Sequence, residues 1–286
     1  MSVVAPGTRP VQERAVVRGR GVPAWLGRVG SGSLNLVAVL GFAYLFAPIV
    51  VTVLFSFNEP KGKFNLVWQR FTLDNWLNPF SRSELTDAMG VSLRVAGLST
   101  VAATIMGSLV AIALSRYRFR GGGVVNLLLV LPLTTPEIVM GASLLNLFVD
   151  RGVQRGFWTI VIAHTMFSVS FVALTVKARI RGFDWTLEDA AMDLGARPWR
   201  TFRKVTLPLI TPGILAAALL SFSLSIDDYI ITTFNSGSTV TFPLHIAGAF
   251  QREISPQINV LSSMILLVSV GLLAAGTGRR ARRERA

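Results

Sequence analysis

The sequence predicts an all-α integral membrane protein: six transmembrane helices with a helical cytoplasmic loop between spans four and five. Three observations predict it. Hydrophobic residues make up 51% of the 286-residue chain and charged residues only 15%, against about 25% charged in an average globular domain. Mean hydropathy is +0.55, more apolar surface than one soluble core of this size hides. The apolar residues also gather into six runs, near 33–57, 88–114, 124–149, 157–176, 207–226 and 258–277. Each has close to the ~20 residues with which a helix crosses ~30 Å of hydrocarbon.

Residues 1–32 are rich in Gly, Pro and Arg without apolar periodicity, which predicts a disordered basic tail. The first run is nearly uninterrupted from Val39 to Phe55. It is longer than a signal-peptide core and no small-x-small site precedes the turn at Asn58, so it predicts an uncleaved anchor. The membrane domain then occupies 33–277, and 278–286 forms a second short basic tail. An even number of spans puts both ends on one side.

Lysine and arginine set the orientation. The two tails and the connections 115–123 and 177–206 carry twenty of the 28; the connections 58–87, 150–156 and 227–257 carry seven, and Arg94 lies inside a span. Positive charge collects on the cytoplasmic side, so both termini and the 177–206 loop are expected there, in the plasma membrane. The net charge of +13 is thus a matter of topology and lipid contact, and a nucleic-acid partner is not expected.

Enzymatic chemistry finds no support. Cysteine is absent, which excludes thiol catalysis and Cys-type zinc sites. His164 and His245 are too far apart in the chain to form a metal-spaced pair. The sequence holds no GxxxxGK[ST], GxGxxG, HExxH or GxSxG. No catalytic residue, metal site or bound cofactor is expected in this chain.

The most informative segment is 177–206. Asp184 is placed to cap a helix. Leu187, Ala190, Ala191 and Leu194 then recur at three- and four-residue spacing, forming one apolar face. Gly195 ends that helix, and Pro198 opens a second short one carrying Trp199, Phe202 and Val205. Such a hairpin either docks on a partner or lies on lipid.

The run Asp189-Ala190-Ala191-Met192-Asp193-Leu194-Gly195, nine residues, then Val205-Thr206-Leu207-Pro208 resembles the EAA loop of ATP-binding-cassette importer permeases. Asp189 stands where that pattern has Glu, with Glu188 just before it, and Val205 stands for Ile. The resemblance implies a type I importer permease. Glu188, Asp189, Ala190, Ala191, Gly195, Leu207 and Pro208 would couple it to a cytoplasmic ATPase dimer that binds the ATP. A second homologous permease and an extracytoplasmic solute-binding protein would complete the assembly. The run Phe222–Ile230, with Phe234-Asn235-Ser236-Gly237 and Leu131–Gly141, is similar to the spermidine/putrescine branch. Permeases for thiamine, iron or other small solutes share much of this scaffold.

A carboxylate in lipid costs ~3 kcal/mol on insertion scales, so acidic residues near the spans are candidates for the pathway. Glu137 follows Pro132 and Pro136, which break a helix; it either lines the pathway or bonds Arg94 or freed backbone amides. Asp227, Asp228 and Tyr229 end the fifth span, with Phe222 one turn earlier. Carboxylates and aromatic faces together suit a flexible polycation; the alternative is a cluster that caps a helix or touches the binding protein. His164 is expected in an interhelical hydrogen bond. A stand-alone carrier would show an internal repeat, and comparing the first three spans with the last three yields none.

Overall fold

The structure, a computed structural model, describes residues 24–117 and 120–283. The chain divides into two compact units, Met1–Thr52 and Val53–Ala286. The first contains most of α1 (Ala24–Phe55), in whose apolar window Asn35–Phe55 no residue is buried within the chain. Of the tail expected over 1–32, residues 1–23 lie outside the described range. The helix begins at Ala24, nine residues before the apolar run. Helix extension adds one hydrogen bond per residue once a long segment has nucleated, so polar residues ahead of a span continue it.

The second unit is built on α3 (Ser83–Arg116), α6 (Phe157–Ile180) and α9 (Leu207–Ile226). Ala103 and Ala111 of α3, Val172 and Val176 of α6, and Ile210 and Ala217 of α9 form one buried cluster. Small residues set the spacing: a Cβ added to Gly107 would lie 2.7 Å from Val172 Cγ1. Close backbone approach of this kind is how helices associate in lipid, where the hydrophobic effect gives no drive.

The third apolar run is not one straight span. It forms α4 (Gly122–Thr134) and α5 (Glu137–Asp150), bent by 108°. Pro136 has no N–H to continue the ladder and holds Thr135 in an extended conformation. The free Thr135 hydroxyl and amide both turn back to the Leu131 carbonyl, at 2.8 and 2.9 Å.

The fifth run differs from expectation. Pro198–Ile226 is one continuous 29-residue helix, with α8 (Pro198–Thr201), a π turn (Phe202–Thr206) and α9 in line. The second short helix predicted before span five is therefore the first turns of that span. Pro208 cannot donate to the preceding turn, and the wider π turn, with Leu207 N bonded to Phe202 O, absorbs the irregularity.

Past α9 the chain turns through α10 (Ile230–Asn235) and α11 (Phe242–Ala249) before α12 (Pro256–Arg283). Leu85 and Met89 of α3 pack with Phe242, Ala249, Ile258 and Leu261. Among the described residues four helices are long and apolar enough to cross a membrane, and the bent pair makes a fifth if it is one span. The sixth run expected, 258–277, lies in α12, whose apolar part among the described residues is Pro256–Val268.

Candidate functional site

At one end of the second unit the chain between α6 and α9 folds as a hairpin. It starts with α7 (Thr186–Asp193). Asp184 Oδ1 accepts the Thr186 hydroxyl at 2.8 Å and the Thr186 amide at 3.0 Å, and these bonds hold its carboxyl below the usual carboxylate range. The helix ends in a Schellman turn: Ala196 N–H donates to Ala191 O and Gly195 N–H to Met192 O, at 3.0 and 2.8 Å. That turn needs a left-handed residue, and Gly195 has φ +84°.

The hairpin's two carboxylates have different positions. Glu188 is 2% exposed. It accepts a charge-assisted hydrogen bond from Arg116 at the end of α3 and another from the Thr206 hydroxyl in the π turn. The Arg116 guanidinium also lies 5.6 Å from the Trp185 ring centroid, close enough for a cation–π contact. Asp189, in the acidic slot of the sequence motif, is exposed. By its contacts Glu188 ties the hairpin to two membrane helices, while Asp189 faces out. Ala190, Gly195 and Pro208 are exposed, Ala191 and Leu207 half-buried. Leu187 and Trp199 are also exposed, and Leu194 is 90% exposed, so the hairpin leaves an apolar stripe uncovered within this chain.

At the other end a buried polar chain crosses four helices. Ser99 of α3 meets Ser225 of α9 at 3.0 Å; Ser225 meets His164 Nδ1 at 2.7 Å; His164 Nε2 meets Thr232 of α10 at 2.8 Å. The Thr232 hydroxyl and amide in turn reach Asp228 Oδ1 at 3.1 and 2.9 Å, and His164 Nε2 lies 3.5 Å from that oxygen. One assignment satisfies every link: each hydroxyl and the Nε2–H donates toward Asp228, and Nδ1 accepts from Ser225.

The structure thus separates the sequence's pathway candidates. The Asp228 side chain is 7% exposed and caps the start of α10. Asp227 and Tyr229, on either side of it, are exposed, and Phe222 is half-buried. Glu137 is the first residue of α5, at the bend, and is exposed. Among the described residues no hydrogen bond joins Glu137 to Arg94; Arg94 Nε donates to Gly90 O on its own helix. Sequence reasoning missed Arg116, Trp185 and Thr206 at the hairpin, and Ser99 and Thr232 beside His164. Arg116 had been counted only as topological charge. The Ser and Thr residues resemble ordinary packing residues until their partners are known.

The profile for the family described as binding-protein-dependent transport system inner membrane component matches residues 103–280, a stretch that holds the bent pair, the hairpin and the polar chain apart from Ser99. The chain belongs to that family. It is 39% identical over 235 residues to the spermidine/putrescine transport system permease protein PotC of Escherichia coli (strain K12), covering 82% of this chain and 88% of the relative. It is 36% identical over 261 residues to the putrescine transport system permease protein PotI of the same organism, covering 87% and 92%. In structure it is similar to a chain of a bacterial ABC transporter involved in the import of the acidic polysaccharide alginate. There the TM-score is 0.63 at 17% identity, with 90% of this chain and 96% of that chain covered. This permease component is therefore a multi-pass membrane protein, all-α in fold.

Proposed function

We propose that this permease component is one membrane subunit of an ATP-binding-cassette importer for the polyamines spermidine and putrescine. Its similarity to two permeases named for those solutes, over more than four-fifths of its length, carries the substrate reading. The hairpin supports the coupling half: its uncovered stripe offers a docking face, and the Glu188 ties transmit a push on that face to α3 and α9. An ATPase dimer on the cytoplasmic side binds and hydrolyses the ATP. A second homologous permease closes the pathway, and a binding protein delivers the solute from outside. Both termini are cytoplasmic.

A polyamine is a flexible chain of ammonium groups, whose desolvation must be offset by anions and aromatic faces. Asp227, Tyr229 and Phe222 supply these at the outer end. Glu137 supplies a carboxylate at the bend, and irregular backbone at membrane depth is tolerated where it lines a cavity. Asp228 acts on this surface indirectly, by fixing α10.

The test is reconstitution with the partner subunits and binding protein, measuring ATP-dependent uptake of labelled spermidine and putrescine. Saturable uptake in which each competes with the other, and thiamine and ferric iron do not, is the expected result. Competition by thiamine or iron instead would assign the subunit to another solute. Single cysteines at 61 and 252 should react with an impermeant thiol reagent from outside, and one at 200 should not.

A further inference from the structure

Residues 58–82, between α1 and α3 at the end remote from the hairpin, fold with polar groups inside and apolar groups outside. Asn58, Asn65 and Asn75 are buried, as is Ser56 just before them. Asn58 Nδ2 donates to Asn65 Oδ1 at 2.7 Å and to Val67 O at 2.9 Å. Asn75 Nδ2 donates to the Ser56 and Asn58 carbonyls at 3.1 and 2.9 Å, and Trp76 Nε1 to Ser56 Oγ at 2.9 Å. Leu66, Val67, Trp68, Phe71, Leu73 and Leu77 face outward, Leu77 at 74% exposure. A segment folded in water shows the opposite distribution. Large apolar side chains exposed together over buried polar ones form a patch built to meet lipid or a partner.

The ties of the segment set its depth. Asn65 Nδ2 donates to the Phe55 carbonyl at 2.8 Å, on the last residue of α1. Asn65 N–H donates to Ile254 O, and Ile254 N–H to Lys63 O, each at 3.0 Å, two residues before α12 begins. The segment is therefore held level with the ends of two apolar helices, at the boundary of hydrocarbon and headgroups. Lys61 and Lys63 are exposed along it, and the exposed Arg70 is paired with Glu59, its Nε donating to Oε2 at 2.9 Å. Tryptophan and cationic side chains beside aliphatic ones mark an interfacial segment, whereas lysine is depleted from the core of protein–protein interfaces.

We propose that residues 64–77 are an interfacial anchor: their apolar face is buried among phospholipid acyl chains, and Lys61 and Lys63 contact the phosphates. The chain lacks cysteine, so nitroxide labels at Leu66→Cys and Leu77→Cys report the surroundings directly. The variants are read in the complete transporter in phosphatidylethanolamine–phosphatidylglycerol vesicles, with Leu73→Cys replacing either one that fails to insert. The expected result is accessibility to oxygen above, and to a water-soluble nickel chelate far below, that of the label free in buffer. Chelate accessibility as in buffer would place the face in water. Exclusion of both reagents would place it under protein, either the second permease or the binding protein. Each result overturns the proposal, and neither depends on which solute is carried.

Discussion

The Glu188 carboxylate bonds to the Arg116 guanidinium across 72 residues of sequence, joining the hairpin that faces out of the bundle to the end of a membrane helix within it. Because Glu188 is buried and also accepts the Thr206 hydroxyl, it is a fixed point of the hairpin rather than part of its docking face. Glu188→Ala leaves both donors without their acceptor. A buried donor left unpaired costs about 1–3 kcal/mol, and Arg116, about a third exposed, recovers part of its share from water. Amide hydrogen exchange over 186–196 should accelerate in Glu188→Ala and recover in part in Arg116→Glu/Glu188→Arg. Unchanged exchange in the single variant would mean that the tie does not hold the hairpin.

Gly195 needs its left-handed backbone, not its small size. Beyond its chain neighbours no atom lies within 4 Å of where a Cβ would be, so the site has room for a Cβ. Gly195→Val does meet the cost of φ +84°, of order 1–2 kcal/mol for an L residue and more for a β-branched one. Gly195→Val should insert normally but fail to stimulate the ATPase. Gly195→Asn, which tolerates this region, should retain most of the stimulation. Equal loss in both would point to sterics against the partner instead.

His164 joins α6 to α9 and α10 through Ser225 and Thr232. His164→Ala removes both bonds and opens a cavity, for a cost of about 2–5 kcal/mol. It should lower Tm in detergent, and Asp228→Asn should lower it too, by less, because a neutral amide oxygen is a weaker acceptor than the carboxylate in the α10 cap. Normal Tm in both variants would remove the structural role assigned to this chain of bonds.

Asp227→Asn and Glu137→Gln should behave in the reverse way. Both side chains are exposed, and the Asp227 carboxylate bonds only its own backbone amide, so Tm should stay near that of the parent. A charge-assisted hydrogen bond to the solute contributes about 1.5–3 kcal/mol, which predicts a roughly ten- to hundredfold loss of polyamine uptake in at least one of them. Parental uptake rates in both would leave the pathway without either carboxylate.

Gly107 fixes the approach of α3 to α6. A side chain there would meet Val172 Cγ1 at 2.7 Å and the Val169 carbonyl oxygen at 2.9 Å. Gly107→Val should destabilise by about 1–3 kcal/mol through overpacking. Adding Val172→Ala should restore only part of the loss, since the backbone oxygen cannot withdraw. Thermal unfolding of the single and double variants measures both effects.

Hydropathy alone placed the long apolar helices, because the ~30 Å of hydrocarbon demands ~20 apolar residues whatever their neighbours. Local chemistry likewise placed the hairpin turn at Gly195 and the helix break at Pro136, where a left-handed residue and a missing N–H act within a few positions. Three features required the tertiary structure. The continuity of Pro198–Ile226 depends on a π turn that no propensity at Pro208 announces. The division of roles between Glu188 and Asp189 depends on which carboxylate the helix turns toward Arg116 and Thr206; adjacent residues lie ~100° apart on a helix, so identity and spacing leave that undecided. Asp227 and Asp228 divide in the same way. The two are chemically alike and adjacent, and what separates the buried cap from the exposed carboxylate is that His164 and Thr232, distant in sequence, converge on only one of them.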